Sequence, residues 1–145
     1  MEMMNNYVFR GWDAVGNKGW VYGDLVHNQK VTATGLEPRV MVGGYEVVPE
    51  SVGISIGIKD KEGNPVYDGD IFYVEFIDGS HGYYLVGWND DVAGFGFMDS
   101  YSYQSIREGY DYAIFNPWVL VNMRRESLIF KVVGNKFQNS ELLEK

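Results

Sequence analysis

Along much of this chain apolar and polar residues alternate with a period of two. Glycine-bearing turns break the alternation at intervals of roughly 8–12 residues, the mark of short strands. Tyr7, Phe9 and Gly11 share one face of a first strand, and Val8, Arg10 and Trp12 the other. Residues 15–19 have turn chemistry and lead into Trp20-Val21-Tyr22, which predicts a hairpin over residues 7–22. Residues 23–40 are polar and mixed and predict weak strands or a variable loop. Met41 to Val48 carries another strand after Gly43-Gly44, and Pro49-Glu50-Ser51 ends it. Val52, Ile54, Ile56 and Ile58 then alternate with Gly53, Ser55 and Gly57, a strong strand signal.

Residues 59–65 form an exposed turn and Asp68-Gly69-Asp70 a tight one. Residues 71–77 are apolar on both faces, as in a central strand. Turns at 78–82 and 89–91 separate further strands at 83–88 and 93–98, predicting a meander or small barrel. Residues 99–117 are rich in Tyr, Ser and Asp, and the pattern leaves their structure open. Residues 118–123 and 128–133 read as a last strand pair around Arg124-Arg125. Asn139 or Ser140 caps a short C-terminal helical turn over 141–144. The fold class is mainly β, with antiparallel hairpins over 1–58 and a second β region over 59–145.

Composition narrows the chemistry. The 145 residues suit one domain, or one with a small appendage. No cysteine is present, so there is no disulfide, thiolate zinc site or cysteine nucleophile. His27 and His81 are too few for a multi-histidine metal site. A net charge of −8 argues against a broad phosphate-binding surface. The N-terminus shows no signal-peptide pattern, and no apolar run approaches the ~20 residues of a membrane helix. A cytoplasmic protein without membrane contact is expected.

Charge is uneven. Nine carboxylates (Asp60, Glu62, Asp68, Asp70, Glu75, Asp78, Asp90, Asp91, Asp99) and one cation, Lys61, lie between Asp60 and Asp99. They suggest a divalent-cation site or a mimic of DNA charge, set against solvated turns that keep the surface soluble, which is the favoured reading. The loop at Asp60 departs from the EF-hand spacing, because Gly63 arrives early and no closing glutamate follows. Asp68 and Asp70 form a candidate acid–base pair but suit a turn cap better. Ser80 and His81 sit in a glycine-rich turn without a nucleophile-elbow frame. Tyr101, Tyr103, Tyr110, Tyr112, Phe115 and Trp118 form an aromatic segment. Only Arg107 accompanies it between positions 99 and 118, so base stacking lacks its electrostatic complement and a protein–protein interface fits better. A core role for half of these rings fits equally well. Tyr101, Tyr103, Tyr110, Tyr112 and Trp118 are the candidate partner-binding residues; no catalytic, cofactor or metal residue is assigned.

Three segments together resemble the YopX family of phage and prophage proteins. Residues 9–13 (FRGWD) are similar to its FRAWD-type opening. Residues 57–71 (GIKDKEGNPVYDGDI) are similar to its TGLKDKNGKEIYEGDIV core, the most specific match. Residues 132–143 (VVGNKFQNSELL) are similar to its VIGNIYENPELL ending, and Trp88-Asn89-Asp90 to a W-D-D-like strand end. Departures are Gly11 for Ala, Ile56 for Thr and Ser140 for Pro. The resemblance implies a mostly β protein with an SH3-like barrel in its C-terminal part and a homo-oligomer. It implies no reaction and no cofactor. The expectation is a binding or assembly module, not an enzyme, self-associating through aromatic surface or an unpaired strand edge, or meeting a phage or host protein. A nucleic-acid-associated small barrel and a metal-dependent enzyme using the carboxylates of 60–99 are the alternatives.

Overall fold

The computed structural model describes residues 8–91, 93–107 and 117–144, with the side chains of 106, 107 and 117–121 excepted. The chain divides into two compact units, Met1–Gly57 and Ile58–Lys145.

In the first unit β1 (Phe9–Trp12) pairs antiparallel with β2 (Trp20–Gly23), as the alternation predicts; Tyr7 lies outside the described residues. Asp13 plugs the intervening turn. Its carboxylate accepts the N–H groups of Val15, Gly16 and Lys18, and the first two bonds hold its pKa below the usual value. Residues 23–40 form two full strands rather than weak ones, β3 (Leu25–Thr32) and β4 (Gly35–Val42), paired in register from Leu25–Val42 to Thr32–Gly35. A turn at Gly43-Gly44 leads to β5 (Tyr45–Glu46), and a 3-10 turn at Pro49–Ser51 precedes β6 (Gly53–Lys59), which pairs with β1. Val21, Val42 and Val47 form the core, with Phe9, Leu25, Val40 and Val52 against it. Trp12 and Trp20 meet edge to face at 5.4 Å, and the Arg10 guanidinium lies 4.6 Å from the Trp20 ring.

Gly11, where the family pattern has Ala, is explained by this core. A Cβ there would lie 2.8 Å from the methyls of buried Val47.

In the second unit β7 (Pro65–Tyr67) is followed by the meander β8 (Asp70–Glu75), β9 (His81–Asn89) and β10 (Gly94–Asp99), close to the predicted spans. β11 (Ile129–Asn135) returns to pair with β8, so the sheet order is β10-β9-β8-β11. β10 and β11 are its ends, and among the described residues no strand pair closes this sheet into a barrel. Phe72, Val74, Val86 and Phe130 are buried on one face, where Phe72 and Phe130 stand 4.5 Å apart. On the other face Ile71, Leu85 and Leu143 form a cluster joined by Tyr83, Tyr103 and Leu142.

Two helices depart from the sequence pattern. Asp99 caps α1 (Ser100–Arg107) by accepting the Ser102 N–H at 2.7 Å, within a stretch whose structure the sequence pattern leaves open. Residues 118–123 are not a strand but part of α2 (Pro117–Glu126). Pro117 occupies the first helical position, where its missing N–H costs nothing. Arg124 and Arg125 stand in the last turn, which favours cations, rather than at a hairpin tip. α2 packs along β10 and buries Met123, a tertiary contact that overrides the strand preference of Trp and Val. The C-terminal turn is present as a 3-10 helix at Ser140–Glu144. No described helix is long and apolar enough to cross a membrane.

Gly11→Ala is expected to cost about 1–3 kcal/mol through overpacking. In a Val47→Ala background the penalty shrinks, and a double-mutant cycle on urea midpoints reads the coupling.

Candidate interaction surface

The acidic region resolves into turn caps. Asp60 is 2 % exposed, and its carboxylate accepts four hydrogen bonds. Oδ1 takes the N–H of Glu62 at 2.9 Å and of Asn64 at 2.8 Å; Oδ2 takes Asn64 Nδ2 at 3.2 Å and the Val132 N–H at 3.0 Å. Burial pushes this carboxyl up, but the accepted bonds outweigh it and leave the pKa below the usual value. Asp70, also buried, accepts the Tyr67 N–H at 2.7 Å. Exposed Asp78 accepts both the N–H and the hydroxyl of Ser80, and the hydroxyl bond leads in lowering its pKa. The Ser80 hydroxyl is thus directed to Asp78, and His81 is exposed beside the Tyr73 ring. Asp90 accepts the Trp88 indole N–H at 2.7 Å. Each of these five carboxylates, counting Asp99, bonds within its own turn or helix start. Among the described residues no group of three His, Asp or Glu side chains can hold a metal ion.

Of the aromatic candidates, the two whose side chains are described part company. Tyr101 is 79 % exposed on α1, while Tyr103 is half-buried against Ile71, Leu85 and Leu143. Two positions apart on a helix, the rings point to different sides. Tyr110, Tyr112 and Phe115 lie outside the described residues, and Trp118 lies in α2 with its side chain outside them.

The β3–β4 hairpin offers a different surface. Cross-strand pairs sort its side chains onto two faces. One face carries Asn28 with Arg39 and Lys30 with Glu37; Arg39 Nε donates to Asn28 Oδ1 at 2.7 Å, and Lys30 Nζ reaches Glu46 at 2.9 Å. The other carries His27 with Val40, Gln29 with Pro38 and Val31 with Leu36, and apart from His27 it has no ionisable group. Toward the tip this face is open: Val31 is 84 % and Leu36 64 % exposed. Sequence reasoning passed over it. The signal lies on the β4 side, where Glu37 and Arg39 alternate with Leu36, Pro38 and Val40; on the β3 side Lys30 is the single permanent charge and aliphatics are few.

The sequence matches the family described as YopX protein over residues 8–144. The chain belongs to the YopX family. Among curated proteins no relative matches it. The residues that carry the YopX resemblance are the same caps. Asp60, Asn64 and Asp70 hold the turns of the core motif, in which Gly63 and Gly69 both have φ +90°. In the ending motif Asn139 Oδ1 accepts the Asn135 N–H at 3.1 Å, and Asn135 Oδ1 accepts the Gln138 N–H at 2.8 Å. These bonds bend the chain so that Leu143 enters the core. The YopX motifs are therefore accounted for by structure.

Asp60 sets an acid response. With its pKa lowered by folding, the unfolded chain takes up the proton first as pH falls. The stabilisation present above about pH 4 is then lost as pH drops through the folded value. Asp60→Asn turns an acceptor toward N–H donors and is expected to cost about 1–3 kcal/mol at pH 7. Urea unfolding from pH 7 to 2 should show a lower start and a shallower acid fall than in the parent, Asp13 and Asp78 still contributing.

Proposed function

We propose that this YopX protein is a non-catalytic binding and assembly module of phage or prophage origin, at work in the host cytoplasm and associating with copies of itself. The observation that carries the reading is the β3–β4 hairpin, whose outer part exposes a face with almost no charge. Two strands alone build no core and are marginal in water. An apolar ribbon of this kind gains most when a second protein surface covers it. The engagement of the carboxylates in turn caps supports the absence of acid–base or metal chemistry. The return of β11 onto β8 supports an SH3-like arrangement for residues 59–145, and phage or host proteins are the further class of partner.

Light scattering after size exclusion should give a mass above the 16.5 kDa of one chain at high protein concentration. The pair Val31→Glu with Leu36→Glu should return it to one chain without changing the far-ultraviolet circular dichroism. A parent protein that stays monomeric overturns self-association. Salt-sensitive micromolar binding of single- or double-stranded DNA or RNA would instead favour the nucleic-acid reading.

A further inference from the structure

The two outer edges of the hairpin differ. The Val40 carbonyl accepts the Val47 N–H at 3.0 Å, so the backbone groups of Val40 point away from β3. Strand periodicity turns Pro38, two residues earlier, the same way. Proline has no N–H to offer, so the outer edge of β4 is blocked there against a further strand. Directly opposite these positions on β3 stand His27, Gln29 and Val31. In an antiparallel pair, residues opposite outward-pointing ones also point outward. Their N–H and C=O groups therefore line the outer edge of β3, which among the described residues pairs with β4 alone. This edge runs eight residues without proline or bulge, and Lys30, its one permanently charged residue, is already paired with Glu46.

We propose that β3 adds edge to edge onto β3 of a second copy, antiparallel, about a two-fold axis at Gln29. The inference rests on the assembly reading above and names its surface. In this register Gln29 faces Gln29, His27 faces Val31, and both pairs exchange backbone hydrogen bonds. Lys30 faces Asn28 of the second copy, so no like charges are opposed. A register one step toward the tip would set Lys30 against Lys30. One step toward the base carries the tip of the second copy past Leu25, where β3 begins. The axis at Gln29 also keeps parity, so the nearly uncharged faces of both hairpins form one continuous four-stranded surface with Val31, Leu36 and Pro38 of each copy.

The chain has no cysteine, so a single introduced thiol reports its own symmetry mate without background. Under mild oxidation Gln29→Cys should be captured as a disulfide-linked dimer faster than Asn28→Cys or Lys30→Cys. Gln29→Pro, which removes the outward N–H in both copies, should weaken the dimer roughly tenfold or more in sedimentation or light scattering. A parent protein that is monomeric at high concentration overturns this inference together with the assembly reading. A stable oligomer that resists Gln29→Pro and shows no preferred cross-linking at position 29 overturns the β3 edge and leaves self-association standing. If Gln29→Pro fails to fold, the cross-linking pattern alone decides.

Discussion

The buried carboxylate of Asp60 is the tie on which the second unit depends. It closes its own turn through Glu62 and Asn64 and reaches across to the N–H of Val132 on β11. The turn is bound to β11 a second time, because the Lys61 N–H donates to the Phe130 carbonyl at 3.0 Å. Strand periodicity turns Val132 outward like Phe130, so its N–H needs an acceptor beyond the sheet, just ahead of the register shift between Val132 and Gly134. An ionised carboxylate buried without such bonds would be costly, and with four of them it is a strong anchor. Its position delivers Phe130 to Phe72 and so completes one face of the core.

The same logic runs through the other acidic residues. A turn leaves N–H groups pointing inward, and a short carboxylate one to three residues away satisfies them. Asp13, Asp70, Asp78 and Asp99 each do this. Much of the local negative charge is thus structural. The hairpin of β3 and β4 is the counterpoint. Its permanent charges are gathered on one face, where Arg39 bonds Asn28 and Lys30 bonds Glu46 of β5, while the tip of the opposite face is open and nearly neutral. Of the most exposed aliphatics, Val31 and Leu36 share this face, while Val15 and Ile77 lie in turns.

Elements with local signals were legible in the chain. The hairpin over β1 and β2 and the meander over β8 to β10 follow from period-two patterning and Gly-Asp turns, which depend on neighbouring residues alone. α2 was not legible, because Trp118, Val119 and Val121 favour strands and only packing against β10 settles the helix. β3 and β4 were obscured because strands with one polar face and few aliphatics carry a weak apolar period. Of the candidate site, Tyr101 and Tyr103 were visible as rings, but their separation depends on α1, which only the cap at Asp99 and contact with the sheet reveal.

By itself the sequence determined where the turns fall, that the fold is mainly antiparallel β, and that the chain resembles the YopX family. These follow from glycine and aspartate chemistry and from side-chain alternation, both short-range. Only the tertiary structure decided that Asp60 is buried against β11, that α2 is helical, and that Val31 and Leu36 stand open on one face of the β3–β4 hairpin. Each of those depends on residues far apart in the chain, such as Asp60 and Val132, whose meeting is set by the register of the strands between them.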